Sequence, residues 1–251
     1  MKRAAALAAK VTRNFARPIL PHSPVVTSQL ILELAPVPAP TLQNFVPGRN
    51  RAVVEALIGI AAARAPDQVL YLWGEPSTGK SHLLIGAWSE ARYGQRAAHL
   101  VEYVADLDAR IEESGVLAVD DVDTLPESAQ ARLFDLFNRV RSAGGAFVAA
   151  GTCAPARLRL RQDLKSRVLS GLVFQLQTLS DDEKAAALAA HAVERGIKLQ
   201  TDVVTYLLHR VPRDTGTLFA ALEAIDRYSL SRQRPVTLPL VREALAMLEL
   251  R

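Results

Sequence analysis

The chain has 251 residues, with 49% hydrophobic and 22% charged side chains, the balance of a soluble globular protein with room for one large domain or two small ones. No apolar run approaches the roughly 20 residues needed to span a bilayer, and Cys153 is the only cysteine, which excludes an internal disulfide and a cysteine-held metal and fits a reducing, cytoplasmic setting. The net charge is +4, but Lys2, Arg3, Lys10, Arg13 and Arg17 put +5 into the first 28 residues, leaving −1 for everything after them. A near-neutral body argues against a broad nucleic-acid-binding surface.

Residues 1–28 read as a disordered basic tail, in which Pro18, Pro21 and Pro24 interrupt any targeting helix. Residues 29–40 carry a short apolar segment, QLILEL, and a connector whose Pro36, Pro38 and Pro40 cannot be helical. RNRAVVEALIGIAAAR has helical period. Hydrophobic runs and helical stretches then alternate. Strands are predicted at Val69–Trp73, Ala97–Tyr103, Val116–Asp120, Ala146–Ala150 and Leu172–Leu176, and helices at Ser81–Tyr93, Val104–Glu113 and Glu127–Ala143. The alternation predicts an α/β fold: a parallel five-stranded sheet covered by helices on both faces. From Ser180 four amphipathic helices follow, the first with an N-cap, acids in its first turn and a stop at Gly196. The expected division is a nucleotide-binding subdomain over 41–178 and a small α-helical lid over 179–251.

GEPSTGKS, Gly74 to Ser81, fits G-x-x-x-x-G-K-[ST] without a mismatch and lies between a predicted strand and a predicted helix. Gly74 and Gly79 let consecutive N–H groups point at phosphate oxygens. The helix aims its positive end at the same place. Lys80 is expected to reach the outer phosphates and the Ser81 hydroxyl to ligate Mg²⁺. In GVLAVDDVD, Val116 to Val119 form an apolar strand, and Asp120 and Asp121 sit at its carboxyl end, where open α/β sheets bind ligands. Asp120 is the candidate to hold Mg²⁺ through water and Asp121 the candidate to polarise an attacking water, although a solvated strand end would look the same. Thr152, in AAGT after the next strand, is a further candidate for contact with a γ-phosphate or the attacking water. The basic segment RLRLRQDLKSRVLSGL admits three readings: a solvated face, a nucleic-acid patch, or an arginine finger directed at another subunit's nucleotide. Arg167, close to the start of the last strand, is the candidate finger.

In this order, the phosphate loop, VLAVDDVD, AAGT, LKSRVLSGL and the helical segment PRDTGTLFAALEAIDR resemble the DnaA/Hda branch of AAA+ ATPases over roughly residues 40–250. The resemblance implies an AAA+ P-loop core with an α-helical lid and ADP or ATP with Mg²⁺ as cofactors. It implies Thr152 as a first sensor, Arg167 as the finger acting in trans and Arg213 as a second sensor contacting the nucleotide from the lid. It places FVPGRN, Phe45 to Asn50, beside the adenine. The sequence carries no helix-turn-helix segment after the lid, so the short, regulatory members of the branch are the nearest likeness. Their function would be inactivation of the DnaA initiator by promoting hydrolysis of its ATP, with little or no hydrolysis of their own. The rival expectations are a helicase-loading or transposition-helper ATPase acting on DNA, and a scaffold that has lost its nucleotide.

In QLILEL, Leu30, Leu32 and Leu34 alternate, so an extended peptide would aim them to one side, with Gln29 free to hydrogen-bond at a pocket edge. A strand packed on its own domain would show the same alternation. The resemblance implies the other reading, a peptide for the sliding clamp, the β subunit of DNA polymerase III. The implied partners are thus DnaA, the clamp, and DNA reached through the clamp. The implied location is the replisome, and self-association is left open.

Overall fold

The structure is a computed structural model that describes residues 39–108, 110–212 and 215–249. The tail over 1–28, the Gln29–Leu34 peptide and Arg213 lie outside the described residues.

A short 3-10 turn, Gly48–Asn50, leads into α1 (Arg51–Ala61). There follow β1 (Val69–Trp73), α2 (Lys80–Tyr93), β2 (Ala98–Val101), β3 (Val116–Val119), α3 (Glu127–Ser142), β4 (Ala146–Gly151), α4 (Gln162–Val168) and β5 (Leu172–Gln175). The strands form one sheet of five in the order β2-β3-β4-β1-β5, every pair parallel. Alternation along each strand divides the core. Leu70, Leu72, Ala118, Val148 and Ala150 face α1 and α2. Tyr71, Leu117, Val119, Phe147 and Ala149 face α3 and α4. Central strands β3 and β4 are buried along their whole length and β1 up to its half-buried last residue, Trp73, so they read as continuous apolar runs, whereas edge strand β5 alternates half-buried and exposed residues.

Two elements differ from the sequence expectation. The helix expected at Val104–Glu113 is only a 3-10 turn over Val104–Asp108. The Asp106 carboxylate accepts hydrogen bonds from the Glu102 and Tyr103 N–H groups, which ties the turn back to the end of β2 and leaves nothing to extend it. In the basic segment, to which no element is assigned from sequence, a seven-residue helix, α4, forms. Leu164 and Val168, four apart, are buried against the sheet, while Arg167 faces outward.

The remaining helices are α5 (Asp181–Glu194), α6 (Thr201–Arg210), α7 (Thr215–Arg232) and α8 (Leu238–Glu249). They enclose a third hydrophobic cluster that includes Leu188, Val203, Leu207, Leu222, Ile225, Tyr228 and Leu240. The start of α5 is fixed by a capping box: Ser180 Oγ accepts from the Glu183 N–H, and Glu183 accepts from the Ser180 N–H. The junction between sheet and lid is tight. A Cβ on Gly48, at φ +46°, would lie 2.3 Å from Leu179 Cδ2, so a side chain there is excluded twice, by backbone and by space.

Candidate functional site

The loop after β1 turns on two left-handed residues, Ser77 at φ +62° and Gly79 at φ +93°. They curl the backbone into a cup before α2 begins at Lys80. Gly79 cannot carry a side chain: a Cβ would stand 2.7 Å from the ring of Phe45, which covers the loop. Thr78 pins the cup with a 2.9 Å bond from its hydroxyl to the Glu75 carbonyl. Lys80 is buried, and its ammonium donates to the carbonyls of Gly74 (2.9 Å) and Glu75 (2.8 Å). Anionic oxygens placed in the cup would compete for those protons with charge-assisted bonds. The loop forms one wall of a cleft of about 320 Å³. The other walls come from Phe45, Val46 and Asn50, from Thr178 and Leu179 after β5, and from Lys184, Thr215 and Gly216 of the lid helices. The cleft is therefore bounded by both subdomains.

Asn50 lines the cleft but is already committed. Its amide nitrogen donates to the Gln177 carbonyl and its amide oxygen accepts from the Gln177 N–H. It braces the segment before α1 against the exit of β5, and the apolar Phe45 and Val46 are left as the surfaces a planar base could meet. His82 is similarly engaged, 2.9 Å from the Thr41 carbonyl, and burial lowers its pKa, so the ring is a neutral wall tilted 5.4 Å from Phe45.

Three carboxylates gather at the carboxyl end of β3. The Asp120 carboxylate accepts from the Asp121 N–H at 2.9 Å. Asp121 sits at φ +43°, an uncommon backbone for a residue other than glycine or asparagine. Burial pushes its carboxyl pKa up, the charges of Asp120 and Asp123 push it further, and the Lys80 ammonium opposes them. A carboxyl destabilised in its charged form and held by a strained backbone has the character of a proton acceptor.

Asp123 was not singled out by the sequence, and it organises the edge. One of its oxygens accepts from the Thr152 hydroxyl (2.7 Å), the Thr152 N–H (2.9 Å) and the Cys153 N–H (3.0 Å). Burial raises the Asp123 pKa, but these hydrogen bonds outweigh it and hold the group below the usual carboxylate range. Its other oxygen is buried with no partner among the described residues and lies 2.8 Å from where a Cβ on Gly151 would be. Thr152 is one residue beyond Gly151, the β4 partner of Trp73, and so beside the phosphate loop. Its hydroxyl proton is spent on Asp123, which leaves its lone pairs to accept from a water. An aspartate after the DD pair, at a distance of 29 residues from Thr152, has no local signature.

Arg167 is at the other edge of the sheet. α4 ends at Val168, just before β5, and a Cβ on Gly171 would lie 2.1 Å from the carbonyl of Val69, the first residue of β1. The phosphate loop begins after the last residue of β1, about 16 Å away at roughly 3.3 Å per strand residue. The guanidinium is exposed and has no hydrogen bond or ion pair among the described residues. It borders a cleft of about 430 Å³ together with Asp67, Gln68, Phe137, Arg141 and Gly171. The structure thus brings Gly79, Lys80 and Ser81 into one cleft with Asn50, holds Gly74 behind it through the Lys80 ammonium, and sets Asp120, Asp121 and Thr152 at the same sheet edge. It keeps Arg167 apart from all of them.

The fold and this loop are of the AAA+ P-loop type. Domain III of the replication initiation protein DnaA from Thermotoga maritima superposes with a TM-score of 0.66 at 20% identity, over 83% of this chain and 96% of that one. AMPPCP-bound DnaA from Aquifex aeolicus gives a TM-score of 0.62 at 22% identity, over 75% of this chain. The match covers 65% of that DnaA, less than two thirds of its length. A RuvB variant from Thermotoga maritima gives 0.62 at 16% identity, over 84% of this chain and 72% of that one. These likenesses establish the fold. The helical lid is more specific: residues 181–245 match the family model "Hda, lid domain". The chain thus carries a lid similar to that of Hda on a body with the fold of DnaA domain III.

Proposed function

We propose that this protein is a regulatory inactivator of the replication initiator DnaA. It binds an adenine nucleotide in the cleft between sheet and lid, docks on ATP-bound DnaA, and supplies Arg167 to the initiator's nucleotide. Water then attacks the γ-phosphorus of that ATP, the bond to the β–γ bridging oxygen breaks, and ADP-bound DnaA and phosphate result. The guanidinium stabilises charge developing on the transferred group, an effect of about 10³- to 10⁵-fold in other systems. The placement of Arg167 carries the proposal: a solvent-facing arginine with no partner among the described residues, at the sheet edge away from its own phosphate loop. An arginine there is of no use to its own nucleotide and is free for another chain's.

The nucleotide reading rests on the cup at Gly74–Ser81 and on the DnaA fold, of which one relative was solved with AMPPCP. Mg²⁺ fits the donors present. No group of three or more His, Cys, Asp or Glu is placed to hold a metal among the described residues, so an ion would be held by the Ser81 hydroxyl, Asp120 through water, and the phosphates themselves. It would neutralise phosphate charge. Gln29, Leu30, Leu32 and Leu34 are the proposed clamp-binding peptide, which would restrict inactivation to the vicinity of loaded clamps at the replisome. The test is ATP turnover by DnaA with and without this protein and DNA-loaded clamp. Acceleration only when both are present supports the reading. Acceleration without clamp removes the coupling, and none under any condition removes the function.

A further inference from the structure

Lys184 is out of place for a lysine. It lies on the stripe Lys184, Leu188 and Ala192 that α5 buries. Leu188 and Ala192 complete the lid core. The Lys184 side chain is only 6% exposed, yet its one ion pair among the described residues is to Asp181 Oδ1 at 3.7 Å, beyond hydrogen-bond length, and the Asp181 side chain is 57% exposed. No hydrogen bond satisfies the ammonium among the described residues. The stem is buried with the stripe, while the ammonium at its end is loosely held and faces the cleft. An anion in the cleft would give that ammonium the partner it lacks among the described residues. The ammonium lines the same cleft as Ser77, Gly79, Lys80 and Ser81, where the backbone is curled to receive one.

We propose that Lys184 is a phosphate ligand supplied by the lid, a second cation that meets the nucleotide from the side opposite Lys80. The inference rests on the nucleotide reading of the cleft and deepens it. α5 begins two residues after Leu179, which Gly48 holds by close contact, so an ammonium-to-phosphate bond would tie the lid's orientation to the bound nucleotide. A purely structural lysine would instead stabilise the protein without nucleotide, through its pair with Asp181.

The test titrates the full chain with fluorescent ADP and melts it without nucleotide. Lys184→Met is expected to weaken ADP binding about 10- to 100-fold, the scale of losing a charge-assisted bond. Its melting temperature without nucleotide should match or exceed that of the wild type, and Lys184→Arg should keep binding within about threefold. Unchanged ADP affinity in Lys184→Met would overturn the inference, and so would a lowered melting temperature without nucleotide. Lys80→Ala separates the two levels. If Lys80→Ala loses ADP and Lys184→Met does not, only the lid contact fails. If the wild-type chain binds no ADP, the nucleotide reading fails with it.

Discussion

At the carboxyl edge of the sheet the chain turns on left-handed residues, gathers three carboxylates and buries a lysine among carbonyls. At the amino edge the backbones of β5 and β1 close on each other at Gly171 and Val69, and the one notable side chain, Arg167, points into solvent. The first edge is strained and partly desolvated, the condition of a site that holds its own ligand. The second is well packed and ends in an uncommitted cation, which suits a surface that acts on something held elsewhere. One sheet thus separates by its own length the phosphate loop from the exposed arginine.

The largest effect expected from breaking this division is at the loop. Lys80→Ala should weaken ADP binding by at least about 100-fold, roughly 2.7 kcal/mol, while leaving the melting temperature without nucleotide little changed; calorimetric titration and a thermal melt check both. Next, Gly171→Ala should destabilise the fold by about 1–3 kcal/mol, because a Cβ at 2.1 Å from the Val69 carbonyl forces β5 away from β1. Denaturant unfolding measures it, and ADP affinity of the folded fraction should survive, since the damage is at the far edge.

Asp123→Asn should cost about 1–2 kcal/mol by weakening three hydrogen bonds into one carboxylate oxygen. The pH dependence follows from the lowered Asp123 pKa. Its contribution is present above the ordinary carboxylate value near 4 and is lost as pH falls through the lower folded value. The gap between wild type and variant in melts at successive pH values should therefore close under acid. The smallest effect has the opposite sign. Asp121 is pushed up by burial and by its neighbours, so its charged form burdens the fold above its pKa. Asp121→Asn removes that charge and suits the left-handed backbone, and should raise the melting temperature at neutral pH by about 2–4 °C.

The phosphate loop and the DD pair were legible because their chemistry is contiguous: a strand, a turn and a helix within a few residues. The parallel sheet was legible because buried strands read as apolar runs. Asp123 and Lys184 were not, because what makes them unusual arrives from far away. Thr152 comes to Asp123 over 29 residues, and the cleft comes to Lys184 only when the lid is set against the sheet. Asn50 was legible as a wall but not as a brace, since Gln177 lies 127 residues on. Helix α4 is masked in sequence by the arginine–leucine alternation before it, which has a strand's period, and the stretch after β2 reads as a longer helix than the Asp106 side chain permits.

Arg167 is proposed to work on a nucleotide bound to another chain. The direct measurement is single-turnover hydrolysis of ATP bound to DnaA, in the presence of DNA-loaded clamp and either wild-type protein or Arg167→Ala, with ADP binding by both forms measured alongside. Arg167→Ala is expected to bind ADP like the wild type and to leave DnaA hydrolysis at the rate of DnaA alone. Full acceleration by Arg167→Ala would contradict it.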